Sequence, residues 1–123
     1  VHLVSLLPPM EPYIVPSKFY GIAAAGRPTL FVGDTDGEIA RALARAQCGA
    51  SVAIGDVDGL ARAVLDLAQS PERRREWGAN ARHVYDEYFS ETRGIAEWRQ
   101  LIDTLAPART DVGAPTLSRG MPT

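Results

Sequence analysis

The sequence predicts an α/β fold: half of a doubly wound parallel sheet, about three strands with flanking helices, followed by two C-terminal helices. Three observations carry this expectation. Short apolar runs alternate with amphipathic segments of helix length, the pattern of successive βα units and a parallel sheet. Turn residues punctuate the alternation, as in Gly26-Arg27-Pro28, Gly33-Asp34-Thr35-Asp36-Gly37 and Gly55-Asp56. From Ser70 onward the periodicity is helical only. Right-handed crossovers between the strands follow from sheet twist.

Each element has its own signal. Val1 to Leu7 is apolar at nearly every position, which predicts a strand buried on both faces and preceded by further structure in a longer protein. Pro8 to Val15 reads as a proline-rich loop. Ser17 to Ala25 predicts a helix, with Ser17 as N-cap and Gly26 as the left-handed residue that stops it. Pro28 to Val32 is the second strand. After the turn, Thr35 and Glu38 have capping-box spacing, and Ile39, Leu43 and Ala46 share a helical face up to Gly49. Ser51 to Ile54 predicts the third strand. Asp56 caps the helix that follows, whose buried stripe is Leu60, Val64 and Leu67.

Ser70-Pro71 starts another helix, because proline is tolerated at the first helical position. Trp77, Ala81, Val84, Tyr85 and Tyr88 keep helical spacing as far as Phe89. Ser90 restarts the chain as a last helix carrying Ile95, Trp98, Leu101, Ile102 and Leu105. Trp77 and Trp98 read as packing residues. Residues 106–123 are rich in Pro, Gly, Ser and Thr without periodicity, which predicts a disordered tail and a domain spanning 1–105.

Composition excludes several function classes. The 123 residues are 46% apolar and 23% charged, with a formal net charge of −2, and so give no electrostatic case for nucleic acid. The arginines alternate with acids along predicted helices, as on solvated faces. Cys48 is the one cysteine and reads as a small buried thiol. His2 and His83 lie far apart, so no metal site is expected. No stretch approaches the roughly 18–20 apolar residues of a membrane span. No basic segment leads an apolar one at the N-terminus, and a reduced, cytoplasmic setting is the expectation.

Ligands of open α/β sheets bind beyond the carboxyl ends of the strands. Residues 7–18, 33–38 and 55–59 should form that rim. The first segment delivers a helix N-terminus, whose unpaired amides and dipole favour phosphate. Ser17 adds a hydroxyl donor, Lys18 a mobile positive charge, and Pro16 stiffens the entry. The same residues also fit a capped helix after a structural loop, with Lys18 in solvent, and both readings stand. Walker, dinucleotide-glycine and nucleophile-elbow motifs are absent. Residues 33–37 look only superficially like a calcium loop, since no downstream ligands complete it.

The run Ile14-Val15-Pro16-Ser17-Lys18-Phe19-Tyr20-Gly21-Ile22-Ala23-Ala24-Ala25-Gly26-Arg27-Pro28 resembles a hallmark stretch of GT-B glycosyltransferases of the family-4 type. The likeness is strongest to bacterial enzymes that build cell-surface polysaccharides. It continues through Asp36-Gly37-Glu38-Ile39-Ala40, Cys48-Gly49, Gly55-Asp56, Leu60-Ala61 and Trp77-Gly78-Ala79-Asn80-Ala81-Arg82. With Phe89-Ser90 and the last helix it covers residues 1–105.

The resemblance implies a Rossmann-like nucleotide-sugar-binding domain, here its C-terminal part. It implies sugar transfer from a nucleoside diphosphate donor, with retention of configuration and with neither metal nor separate cofactor. Pro16, Ser17, Lys18 and Gly21 would line the diphosphate and ribose region. One family glutamate lies near the donor sugar. Glu11 is its candidate, one residue closer to Pro16 than the family pattern has it. The family's ribose-binding glutamate falls on Gly21, which has no carboxylate. Glu38 is a further candidate contact, alongside a capping role. A glycan or lipid-linked acceptor would be held by a domain preceding Val1, with the full protein peripheral at the inner membrane face and this chain inactive alone. A sugar-nucleotide epimerase of related architecture and a non-catalytic nucleotide- or partner-binding module are the alternatives.

Overall fold

The structure, a computed structural model, describes residues 1–14 and 17–105. In chain order these form β1 (His2–Ser5), a 3-10 turn (Pro8–Met10), α1 (Ser17–Ala24), β2 (Thr29–Gly33) and α2 (Glu38–Ala46). They continue with β3 (Gly49–Ala53), α3 (Val57–Gln69), α4 (Pro71–Val84), a π-type turn (Tyr85–Phe89) and α5 (Glu91–Leu105). The three strands pair in parallel in the order β1-β2-β3, with Val4 opposite Phe31 and Phe31 opposite Ser51. The fold is therefore the expected parallel α/β sheet with helices around it and helices after it. Val15, Pro16 and the predicted tail at 106–123 lie outside the described residues.

The main core sits on one sheet face. Strand residues alternate sides, and Val4 and Phe31 meet Phe19, Ile22 and Ala23 of α1, Ala40 and Leu43 of α2, Cys48, and Ala81 of α4. Phe31 is fully buried, which removes enough apolar surface for about 2–3 kcal/mol of stabilisation. Leu30 and Val52 are buried but stand outside this cluster, as does Leu67 of α3.

Several expectations are corrected. Strand β1 is four residues long, and only Val4 is buried in it, whereas Leu3 is 59% exposed. The physical reason is position: β1 is an edge strand that pairs only with β2 among the described residues. The capping box at Thr35 and Glu38 does not form, because α2 starts at Glu38 and its N-cap is Gly37. A tight turn takes up the preceding residues. The Asp36 amide donates to Asp34 Oδ1 at 2.9 Å and the Gly37 amide to the Asp34 carbonyl at 3.3 Å.

Helix α2 ends on Gln47, left-handed at φ 49°, and Gly49 opens β3 instead of closing the helix. In the stripe of α3, Leu67 is buried but Val64 is half exposed. Trp98 is 66% exposed and α5 has no buried residue, so the packing partner of Trp98 is not among the described residues. Other signals held. Gly26 is left-handed at φ 61° after α1, and Asp56 Oδ1 accepts from the Gly59 amide at 2.9 Å. Pro71 opens α4, and Ser90 precedes α5, its hydroxyl accepting from the Arg93 amide.

Helix α4 holds the amino-terminal edge of the sheet together. Parallel βα units bring the C-terminal ends of their helices to this edge, where the last carbonyls lack helical partners. Arg82 Nη1 donates to the Ala24 carbonyl ending α1 at 2.8 Å. Asn80 Nδ2 donates to the Gln47 carbonyl beyond α2 at 3.0 Å. Arg74 Nη1 donates to the Leu67 carbonyl and, at 2.6 Å, to the Ala68 carbonyl in the last turn of α3. Gly78 permits the close approach, since a Cβ there would overlap the Gly26 carbonyl.

Candidate functional site

The carboxyl edge of the sheet carries the candidate site, and the proline-rich loop builds it. Pro8 and Pro9 suit the first positions of a 3-10 turn, where amide donors have no partner to lose. The amides of Met10 and Glu11 donate to the carbonyls of Leu7 and Pro8, at 2.9 and 3.2 Å, and the Tyr13 and Ile14 amides donate to Met10. This coiling points Glu11 across the rim to α2. Its Oε1 accepts from the Ile39 amide at 3.0 Å, a contact 28 residues apart in sequence. Ile39 is the second residue of α2, and Gly37, its N-cap, offers no side-chain acceptor. Glu11 thus supplies from a distant loop the oxygen that a helix start normally receives from Ser, Thr or Asp. A Cβ on Gly37 would overlap the Glu11 carboxylate, so a glycine there leaves room for the contact.

Glu11 and Glu38 are brought together. They share the walls of two clefts, one of about 320 Å³ beside Tyr13, Ile14 and Ala42, the other of about 290 Å³ beside Pro8 and Asp34. A third hollow of about 380 Å³ lies where the strands end and is walled by Leu6, Met10, Val32 and Ile54. It offers an uncharged surface beside the acidic rim.

Ser17 and Lys18 open α1, Gly21 follows one turn later, and all three are exposed. Phe19, Ile22 and Ala23, in the core, fix the helix that presents them. Tyr20 leans on Phe89, with ring centroids 4.8 Å apart. Open space surrounds Gly21, where a Cβ would meet nothing within 4 Å. Among the described residues, no ion pair joins Lys18 to Glu11 or Glu38. Pro16, the remaining candidate, lies outside the described residues.

Sequence reasoning missed two participants, Gly37 and the Ile39 amide. The signal was present as an absence: the residue before Glu38 is a glycine, so the helix start has no local side-chain cap. Cys48 is fully buried in the core, and burial pushes its thiol above the ordinary value of 9.0. It behaves as packing. No group of three or more His, Cys, Asp or Glu side chains suited to a metal ion occurs among the described residues. No helix among them is long and apolar enough to cross a membrane. No protein-family model matches this chain, and no curated protein or solved structure matches it either.

Proposed function

We propose that the chain is the C-terminal part of the donor-binding domain of a retaining glycosyltransferase that uses a nucleoside diphosphate sugar. The observation that carries the reading is the placement of α1. A parallel sheet presents the start of this helix at its carboxyl edge, with Ser17 and Lys18 exposed on it. First-turn amides, a hydroxyl and an ammonium form a donor set suited to a diphosphate. Glu11 stands at the same edge with Oε1 held by the Ile39 amide, leaving Oε2 to accept from a sugar hydroxyl. The uncharged hollow between Met10, Val32 and Ile54 suits the flat face of a ring.

On this reading the acceptor, a glycan or lipid-linked saccharide, is held by another domain of a longer, cytoplasmic protein, peripheral at the membrane face. The product belongs to cell-surface polysaccharide or glycolipid synthesis. No metal or separate cofactor takes part, and this chain alone turns over no donor. The epimerase reading shares the donor site and differs in needing acid–base groups at the sugar ring. A non-catalytic binding module has a specific observation in its favour: Gly21 carries no carboxylate and Glu11 already serves α2.

Calorimetric titration with UDP, GDP and ADP tests the proposal. One nucleotide should bind in preference to the others, and Lys18→Ala should weaken it about tenfold, a loss of about 1.4 kcal/mol. Equal, Lys18-independent binding of all three would remove α1 from the site. Gly21→Glu separates the enzyme and module readings further. The open space at Gly21 accepts the side chain, and a carboxylate reaching the ribose should tighten binding, whereas a module with no ribose subsite there gains nothing.

A further inference from the structure

The opposite edge of the sheet has a feature that the donor-site reading does not use. A cleft of about 420 Å³ opens there between the Gly26-Arg27-Pro28 turn and the first residues of α4. Val1 and Pro71 wall it together with Arg27, Arg74 and Arg75, and no carboxylate does. Arg74 is explained by its bonds to the carbonyls at the end of α3. Arg27 and Arg75 are not so explained: both are exposed, and neither belongs to an ion pair among the described residues. Glu72 and Glu76, the acids nearest in α4, line no part of the cleft and make no described ion pair.

Overall composition does not account for this. The chain is acidic, with a net charge of −2, yet this cleft is walled by basic side chains and no carboxylate. The three rim segments at the carboxyl edge hold Glu11, Asp34, Asp36, Glu38, Asp56 and Asp58 against Lys18 alone. Three guanidinium groups gathered around one hollow repel each other, and a local acid would relieve that at little cost. None is supplied within the cleft. Guanidinium forks match tetrahedral oxyanions bidentately, and the hollow is of the size of small-ligand sites.

We propose that this cleft binds a phosphate monoester, with Arg27 and Arg75 as its ligands and Arg74 as a fixed charge behind them. The same chemistry is offered by a free phosphorylated metabolite and by a phosphorylated lipid headgroup. The site is separate from the proposed donor site, lies on the other edge of the sheet and stands whether or not that reading does.

The test follows the arginine side-chain and backbone N–H signals of the intact chain by NMR during titration with inorganic phosphate, chloride balancing the ionic strength. Saturable shifts at Arg27, Arg75 and the start of α4 are expected, and Arg27→Gln with Arg75→Gln should weaken binding at least about tenfold. Both positions are exposed, so the variant should keep the dispersed spectrum of the parent. Flotation with phosphatidylcholine vesicles, with and without phosphatidic acid, assigns the source. Arginine-dependent capture by phosphatidic acid names a lipid headgroup, and saturable phosphate binding without capture names a soluble ligand. Linear drift that chloride reproduces, shifts confined to Ser17 and Lys18, or saturable binding that survives in the double variant would each overturn the proposal.

Discussion

The carboxylate of Glu11 is engaged with the backbone of Ile39, and its place there depends on a residue it never bonds. Gly37 contributes only space. Replacing Glu11 with alanine removes a cap from α2 and should lower stability by about 1 kcal/mol in denaturant unfolding. Gly37→Ala should cost about 1–2 kcal/mol, because the new methyl group displaces the same carboxylate. The two act on one contact, so their combined effect should fall short of the sum. Strict additivity would show that Glu11 does not cap α2.

Cys48 gives a second prediction at this scale. Burial raises its thiol pKa in the folded chain, so the folded state holds the proton more tightly than the unfolded one. Its contribution is complete below the unfolded value, about 9, and is lost as pH rises above it. Stability should therefore decline above pH 9, and the decline should shrink in Cys48→Ala once that variant's constant cavity penalty is subtracted. A Cys48→Ala chain with the same alkaline slope would assign the decline to other groups. The lone cysteine among small residues was legible in the sequence as a buried thiol. The Glu11 contact was not, because it joins residues 28 apart and no local pattern records such a pairing.

Among the elements, α4 does the most to close the structure, with side chains that the sequence presents as an ordinary polar helix. Arg74, Asn80 and Arg82 face the ends of three different helices, and Gly78 lets the backbone come close to Gly26. Asn80→Ala should cost about 1 kcal/mol, the loss of one hydrogen bond to the Gln47 carbonyl. Gly78→Ala should cost about 1–3 kcal/mol through overlap with the Gly26 carbonyl. Thermal unfolding checks both, and a neutral Gly78→Ala would disprove the close approach.

Helix α5 shows the reverse. Its apolar spacing predicted a helix, which forms, with an apolar face that finds no partner among the described residues. Periodicity reports an amphipathic face, not the presence of a surface to bury it. The same limit applies to β1. Its nearly unbroken apolar run predicted burial on both faces, but burial depends on neighbours, and Leu3 stays 59% exposed among the described residues.

For the whole molecule, the alternation of strand and helix was sufficient to read the parallel sheet and which segments share its carboxyl edge. Topology fixes that edge once the βα order is known. The arginine-walled cleft at the other edge was not read, because it appears only when distant segments are folded to one side. The acidic rim bears on the proposed function. A diphosphate approaching the carboxyl edge meets six carboxylates in the rim segments and one lysine, so α1's amides and Lys18 must bring it in against that field. Binding to this chain should accordingly tighten when added salt screens the carboxylates, the opposite of ordinary phosphate recognition. Affinity measured across a salt series decides this.

The most direct test of the donor-site account is a two-dimensional amide NMR spectrum of the chain, followed by titration with UDP, GDP and ADP. The account predicts a dispersed spectrum with selective shifts at Ser17, Lys18 and Gly21, and at Ile39, whose amide Glu11 holds, for one nucleotide above the others. A dispersed spectrum in which those signals stay still for all three nucleotides, or in which only the Arg27 and Arg75 edge responds, would contradict it.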